Sequence, residues 1–250
     1  GKDPKGGVGE TTTRGLDVGR FYGFRVDGPP GDGEGFDPAF VVGDPYGRAA
    51  ANADGLTIVV DPAATNQWFK GWTDHDWETP DPQDVVIYEC HVRGMTVHPS
   101  SGAPAAKRGK YAGLAGTLGK GTGLDHVKRL GANVVELLPT SEFSESTDPY
   151  NWGYATVYFF APESSYARAP EKGSSYYEFK QLVDDLHAQG FAVVLDMVYN
   201  HVGGPNIYAT IDKKCYFRLN PDLSFSNHSA CGNDVKTESP MMRRLILDTV

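Results

Sequence analysis

The chain has 250 residues, of which 40% are apolar and 22% charged, an ordinary balance for a globular protein with material for a sizeable core. Its formal net charge of -9 argues against a surface selected for nucleic acid or anionic lipid, so neither is expected as a partner. No run approaches the ~18 apolar residues of a membrane-spanning helix, and the three cysteines, Cys90, Cys215 and Cys231, are odd in number and make no complete disulfide framework.

Residues 1–19 are polar and rich in Gly, Thr and Lys, and read as a flexible lead-in without a signal-peptide pattern. Residues 20–26 (RFYGFRV) predict a short aromatic strand that ends at the turn signal Asp27-Gly28-Pro29-Pro30. Two more strands are predicted at 39–42 and 56–60, with Asp44-Pro45-Tyr46-Gly47 between them. Residues 20–62 thus read as part of a small β domain, because three strands are little for an independent sandwich. Residues 63–84, rich in Pro, Asp and Trp, read as a linker that lays its aromatic rings on its neighbours.

From residue 85 the pattern changes. Residues 85–90 (VVIYEC) predict a strand buried on both faces, with Cys90 a buried thiol. After a Gly-rich loop come a helix at 124–130 and a second buried strand at 133–138 (NVVELL), closed by Pro139. A polar loop then carries residues 150–154 (YNWGY). Helical spacing returns at 176–189, with Phe179, Leu182, Val183 and Leu186 on one face and Gly190 as the stop. Residues 191–198 (FAVVLDMV) predict a third buried strand. Cys215 and Cys231 flank a loop-like stretch in which they could pair, and that stretch contains the sequon Asn227-His228-Ser229. A further helix is predicted to begin in 240–250.

Strand and helix alternate three times, which is the pattern of right-handed parallel βα units and places residues 85–250 in the α/β class. A closed barrel of such units needs about 250 residues by itself, so the chain is expected to be the front part of a longer protein. In barrels of this kind reactive groups sit at the C-terminal ends of the strands. Three segments qualify here: 91–94 (HVRG), 140–154, and 196–201 (DMVYNH). Asp196 stands out, because a carboxylate inside an apolar strand is costly to bury without partners. It needs either an ion pair, a loop to cap, or a role in a site; Asn200 and His201 follow it toward the same rim. Trp152 and Tyr154 suit either a stacking platform for a sugar ring or a packed loop lid. The glycines of 113–123 do not have the spacing of a phosphate loop, and HExxH, CxxC and GxSxG motifs are missing from the sequence.

The string 196–203 (DMVYNHVG) resembles the first conserved region of the α-amylase superfamily, glycoside hydrolase family 13, and YNWGY resembles the hallmark of its pullulanase-type debranching enzymes. Residues 86–96 (VIYECHVRGMT) are similar to their first barrel strand, and residues 123–139 to the helix and strand that follow. Residues 21–26 and 44–49 (DPYGRA) resemble the latter half of the β-sandwich module that precedes the barrel in isoamylases, pullulanases and branching enzymes. Ala155-Thr156 stands where pullulanases usually carry Asp-Pro, which is closer to isoamylases.

The resemblance implies the first three βα units of a (β/α)8 barrel behind a partial β-sandwich, and hydrolysis of α-1,6 branch links in pullulan, amylopectin or glycogen. It implies that Tyr154 stacks on the glucose ring at the cleavage site and that His201 hydrogen-bonds its hydroxyls. Asp196 would position its neighbours, Asn200 would hold the loop after the third strand, and Trp152 would join the sugar platform. The family mechanism needs no cofactor, although in some amylases the residue equivalent to Asn200 binds calcium. The family's nucleophile lies in a Gly-Phe-Arg-x-Asp segment on strand four and its acid/base on strand five. Neither is found in these 250 residues, so the chain by itself is expected to be inactive. A branching or α-1,4-acting enzyme and a non-catalytic α-glucan-binding protein are the alternatives.

Overall fold

The computed structural model describes residues 15–28, 33, 35–144 and 150–250. Most of the lead-in and Pro29-Pro30 of the first turn lie outside these residues.

At the N-terminal end, β1 (Phe21–Tyr22) pairs antiparallel with β2 (Thr57–Ile58), and single bridges join Phe24 to Val42 and Ala50 to Thr57. The strand predicted at 39–42 is reduced to that one bridge. Ala39 instead closes a turn whose amide donates to Asp37 Oδ1 at 2.9 Å, a side-chain bond that competes with extended pairing.

The main sheet has the order β3-β4-β7 and is parallel throughout: β3 (Ile87–Cys90), β4 (Val134–Leu137) and β7 (Ala192–Leu195). In register, Ile87, Val134 and Ala192 lie side by side, as do Cys90, Leu137 and Leu195. Three helices cover one face: α1 (Tyr111–Ala115), α2 (Leu124–Arg129) and α3 (Ser174–Ala188). Cys90, Val135 and Leu137 meet Leu114, Val127, Leu182 and Leu186 there in one buried cluster. The α3 helix ends where Gly190 takes φ +86°, a left-handed conformation that suits glycine.

The expectation that these strands are buried on both faces is corrected. On one face of the sheet, Ile87 is 51% and Val194 40% exposed. Alternate residues of a strand point to opposite faces, and among the described residues only one face of this sheet is packed against helices. The open face carries Ile87, Glu89, Glu136 and Val194.

A second core forms around an antiparallel pair that the loop reading missed, β5 (Ser141–Phe143) with β6 (Thr156–Pro162). Val157 and Phe159 of β6 pack with Ile207 and Tyr208 of α4 (Ile207–Tyr216) and with Met242 and Leu245 of α5 (Pro240–Asp248). Glu142 of β5 is buried and accepts the Ser164 amide at 2.7 Å and its hydroxyl at 2.9 Å. A buried carboxylate met by two donors is tolerated, which is how so polar a segment enters a core. The α4 helix kinks at Asp212, whose Oδ1 caps the second part by accepting the Cys215 amide at 2.9 Å.

Residues 63–84 run along α3. Trp77 stacks on His187 with ring centroids 4.5 Å apart, Trp68 stacks on Tyr177, and Asp184 accepts the Thr73 amide at 2.6 Å. Cys90 is buried, and both Cys215 and Cys231 are free thiols.

Candidate active site

The C-terminal ends of β3, β4 and β7 bring the three predicted rim segments together. Asp196 follows β7 directly, and its amide donates to the Leu137 carbonyl of β4 at 3.1 Å, so the sheet pairing extends one residue to fix it. Its carboxylate is half-buried on the side of the open face. It is held by a neutral donor: the Tyr154 hydroxyl donates to Oδ2 at 2.7 Å. That bond is the leading cause that pushes the Tyr154 hydroxyl up to about 12, with burial and the charges of Asp196, Glu89 and Glu136 adding to it. Tyr154 is therefore a neutral donor throughout the physiological range.

The loop that presents Tyr154 is tethered at several points. Asn151 Nδ2 donates to the Ser144 carbonyl at 2.9 Å, and its Oδ1 accepts the Gly153 amide at 2.9 Å. Gly153 has φ +91°, and a Cβ there would lie 2.6 Å from the Pro139 carbonyl oxygen. Only glycine lets the loop cross the end of β4 so closely. Trp152, at the tip, is 59% exposed.

His201 is buried, and burial is the main reason its imidazole titrates below the ordinary value, partly offset by a hydrogen bond to the Tyr154 backbone. Asn200 Oδ1 stands 3.0 Å from His201 Nδ1. The loop carrying both is pinned from a distant segment. Asn233 Oδ1 accepts the Val202 amide at 3.0 Å, its Nδ2 donates to the Val202 carbonyl at 2.9 Å, and the Val235 amide donates to the Asn200 carbonyl at 3.0 Å. Asn233 carries no signal in the sequence, since a lone loop asparagine is indistinguishable from a solvated one.

His91, read from the sequence only as part of a rim segment, also reaches this region. It is 5% exposed, and its ring stacks on Tyr150 with centroids 4.9 Å apart. The five predicted residues thus separate by position. Tyr154, Asp196 and His201 converge, Asn200 lies exposed beside His201, and Trp152 stands out toward solvent. Among the described residues no group of three or more His, Cys, Asp or Glu side chains is arranged to hold a metal ion. Asn200, the residue that the resemblance links to calcium in some amylases, has its Oδ1 turned to His201 Nδ1.

No protein-family model matches the chain. Among curated proteins it is 35% identical to isoamylase 3, chloroplastic, of Oryza sativa subsp. japonica, covering 100% of this chain and 35% of that protein. It is also 35% identical to the glycogen operon protein GlgX homolog of Mycobacterium bovis, covering 93% of this chain and 37% of the relative. Among solved structures, a pullulanase from Paenibacillus barengoltzii, in complex with maltohexaose and α-cyclodextrin, superposes with a TM-score of 0.75 at 36% identity, over 84% of this chain and 34% of that one. The chain therefore spans about a third of the length of the relatives it matches. Both sequence and fold lead to the same group: the chain belongs to the isoamylase- and pullulanase-type debranching enzymes of the α-amylase superfamily, glycoside hydrolase family 13.

Proposed function

We propose that this chain supplies the sugar-binding rim of an α-glucan hydrolase that cleaves α-1,6 branch links in pullulan, amylopectin or glycogen. The observation that carries this is the Tyr154–Asp196 hydrogen bond, which joins the YNWGY loop to the DMVYNH segment in one site. In this reading the main sheet is the start of a (β/α)8 barrel, residues 20–62 belong to a β-sandwich, 63–84 link the two, and 85–250 form the first part of the catalytic domain. The open sheet face is the interior side of that barrel.

Each side chain has a physical part. An aromatic ring offers an apolar face to the C–H surface of a sugar, and the bond from its hydroxyl to Asp196 fixes the plane of the Tyr154 ring. A buried His201, neutral at pH 7, presents one donor and one acceptor, which suits a sugar hydroxyl that both gives and takes a hydrogen bond. Trp152 extends the platform outward. Asp196 accepts from Tyr154 and is an orienting group here, not the nucleophile. A retaining glycosidase needs two carboxyl groups about 5–5.5 Å apart, and the resemblance puts both in segments not contained in these 250 residues.

The test is the product pattern of the complete enzyme. Maltotriose from pullulan with linear amylose left intact supports the reading. Cleavage or transfer on amylose would assign an α-1,4-acting or branching enzyme instead. The 250-residue chain alone is expected to bind maltotriose without releasing reducing sugar.

A further inference from the structure

We propose that His91 is a positioning residue for the platform loop, acting through the main chain of Asn151; this rests on the reading of Tyr154 as the sugar platform. The geometry is specific about the ring's proton. The Gly94 amide, which can only donate, points at His91 Nδ1 at 2.9 Å, so Nδ1 is an acceptor and the proton resides on Nε2. Nε2 then donates to the Asn151 carbonyl at 2.8 Å, with the Tyr166 hydroxyl oxygen 3.2 Å away as a second neighbour. The Tyr150 ring closes over the imidazole.

One ring thus connects the end of β3 to the loop that presents Trp152 and Tyr154. Asn151 is the hinge of that connection. Its carbonyl is held by His91, its Nδ2 by Ser144 and its Oδ1 by the Gly153 amide, so both sides of the residue before Trp152 are fixed. The Ser144 tether comes from the end of β5, on the antiparallel pair. His91 ties the loop to the end of β3, in the parallel sheet from which Asp196 also projects. Losing it leaves Tyr154 free to drift relative to Asp196, although His91 touches neither of them.

Two half-isosteres separate positioning from general stabilisation. His91→Gln places an amide N–H where Nε2 was and keeps the donor to Asn151. His91→Asn places an oxygen where Nδ1 was and keeps the acceptor for Gly94. Each gives up one hydrogen bond, so a residue that only stabilised the fold would respond alike to both. We expect amide exchange of Gly153 to speed up at least about tenfold in His91→Asn and less than about threefold in His91→Gln. Maltotriose affinity, read by calorimetry, is expected to fall in the same order. Equal exchange at Gly153 in the two variants overturns the inference. Independently of any variant, long-range proton–nitrogen correlation on the unmodified protein must show the His91 proton on Nε2, and a ring protonated on Nδ1 overturns it as well. If the exchange order holds while the unmodified protein fails to bind maltotriose, the α-glucan reading fails and the positioning role stands.

Discussion

The hydroxyl of Tyr154 donates to the carboxylate of Asp196 at 2.7 Å across 42 positions of sequence. The bond fixes the ring of a loop residue relative to the end of a strand. Removing the hydroxyl while keeping the ring separates stacking from orientation. Tyr154→Phe is expected to weaken maltotriose binding about fivefold, or about 1 kcal/mol, since water replaces part of the lost bond to a half-exposed carboxylate. Tyr154→Ala, which also removes the ring, is expected to abolish measurable binding. Calorimetric titration of the two variants checks both, and equal affinities would remove the ring from the site.

His201→Ala in the complete enzyme should lower kcat/KM by at least about tenfold, because a hydrogen bond that strengthens in the transition state is lost. Steady-state kinetics on pullulan measures it.

Acid should loosen the site before it unfolds the rest. Burial holds the imidazoles of both His91 and His201 below their ordinary value, with Arg93 adding to the effect at His91. A group depressed in this way binds fewer protons when folded than when unfolded. Its stabilising contribution is complete above the unfolded value of about 6.5 and is lost as pH falls through the folded value. The groups facing His91 are Arg93, Tyr150 and Tyr166, and those facing His201 are Asn200 and the Tyr154 backbone. Asp185, raised chiefly by burial, works in the opposite direction, but in the lower window of a carboxylate. Urea midpoints are expected to be flat from about pH 8 to 7 and to fall below about pH 6. A smaller fall in His91→Gln would assign part of it to that ring.

Gly203 passes close to the backbone that enters β6. Its amide donates to the Thr156 carbonyl at 2.8 Å, and a Cβ there would lie 2.2 Å from the Ala155 carbonyl oxygen. Gly203→Ala must push backbone against backbone, at a cost of about 2–3 kcal/mol. The melting temperature should drop by about 5–10 °C, read by circular dichroism.

The three thiols should react in order of exposure. Cys231 is exposed, whereas burial pushes the Cys90 thiol up to about 12. A disulfide reagent at pH 8 is expected to modify Cys231 within minutes and Cys90 only after unfolding, because the thiolate is the reactive form. Mass mapping of the modified sites settles it.

Local pattern alone identified the three parallel strands, the long α3 helix with its glycine stop, and the rim segments, because each is set by short-range chemistry. Apolar runs of strand length, helical spacing of Phe179, Leu182 and Leu186, and a left-handed Gly190 all lie within a few residues of one another. The motifs YNWGY and DMVYNH were legible through their resemblance to the debranching enzymes, and the structure brings Tyr154 to Asp196 and His201 to the Tyr154 backbone. The β5–β6 pair was not legible. Its first strand is polar and enters the core only because Ser164, more than twenty positions away, satisfies Glu142. Which strand faces are covered, that Asn233 pins the His201 loop, and that His91 holds Asn151 are likewise decisions of the tertiary structure. Each depends on a partner distant in sequence, an apolar helix face for the strands and a hydrogen-bonding group for the rest, and no local pattern records where such a partner will come from.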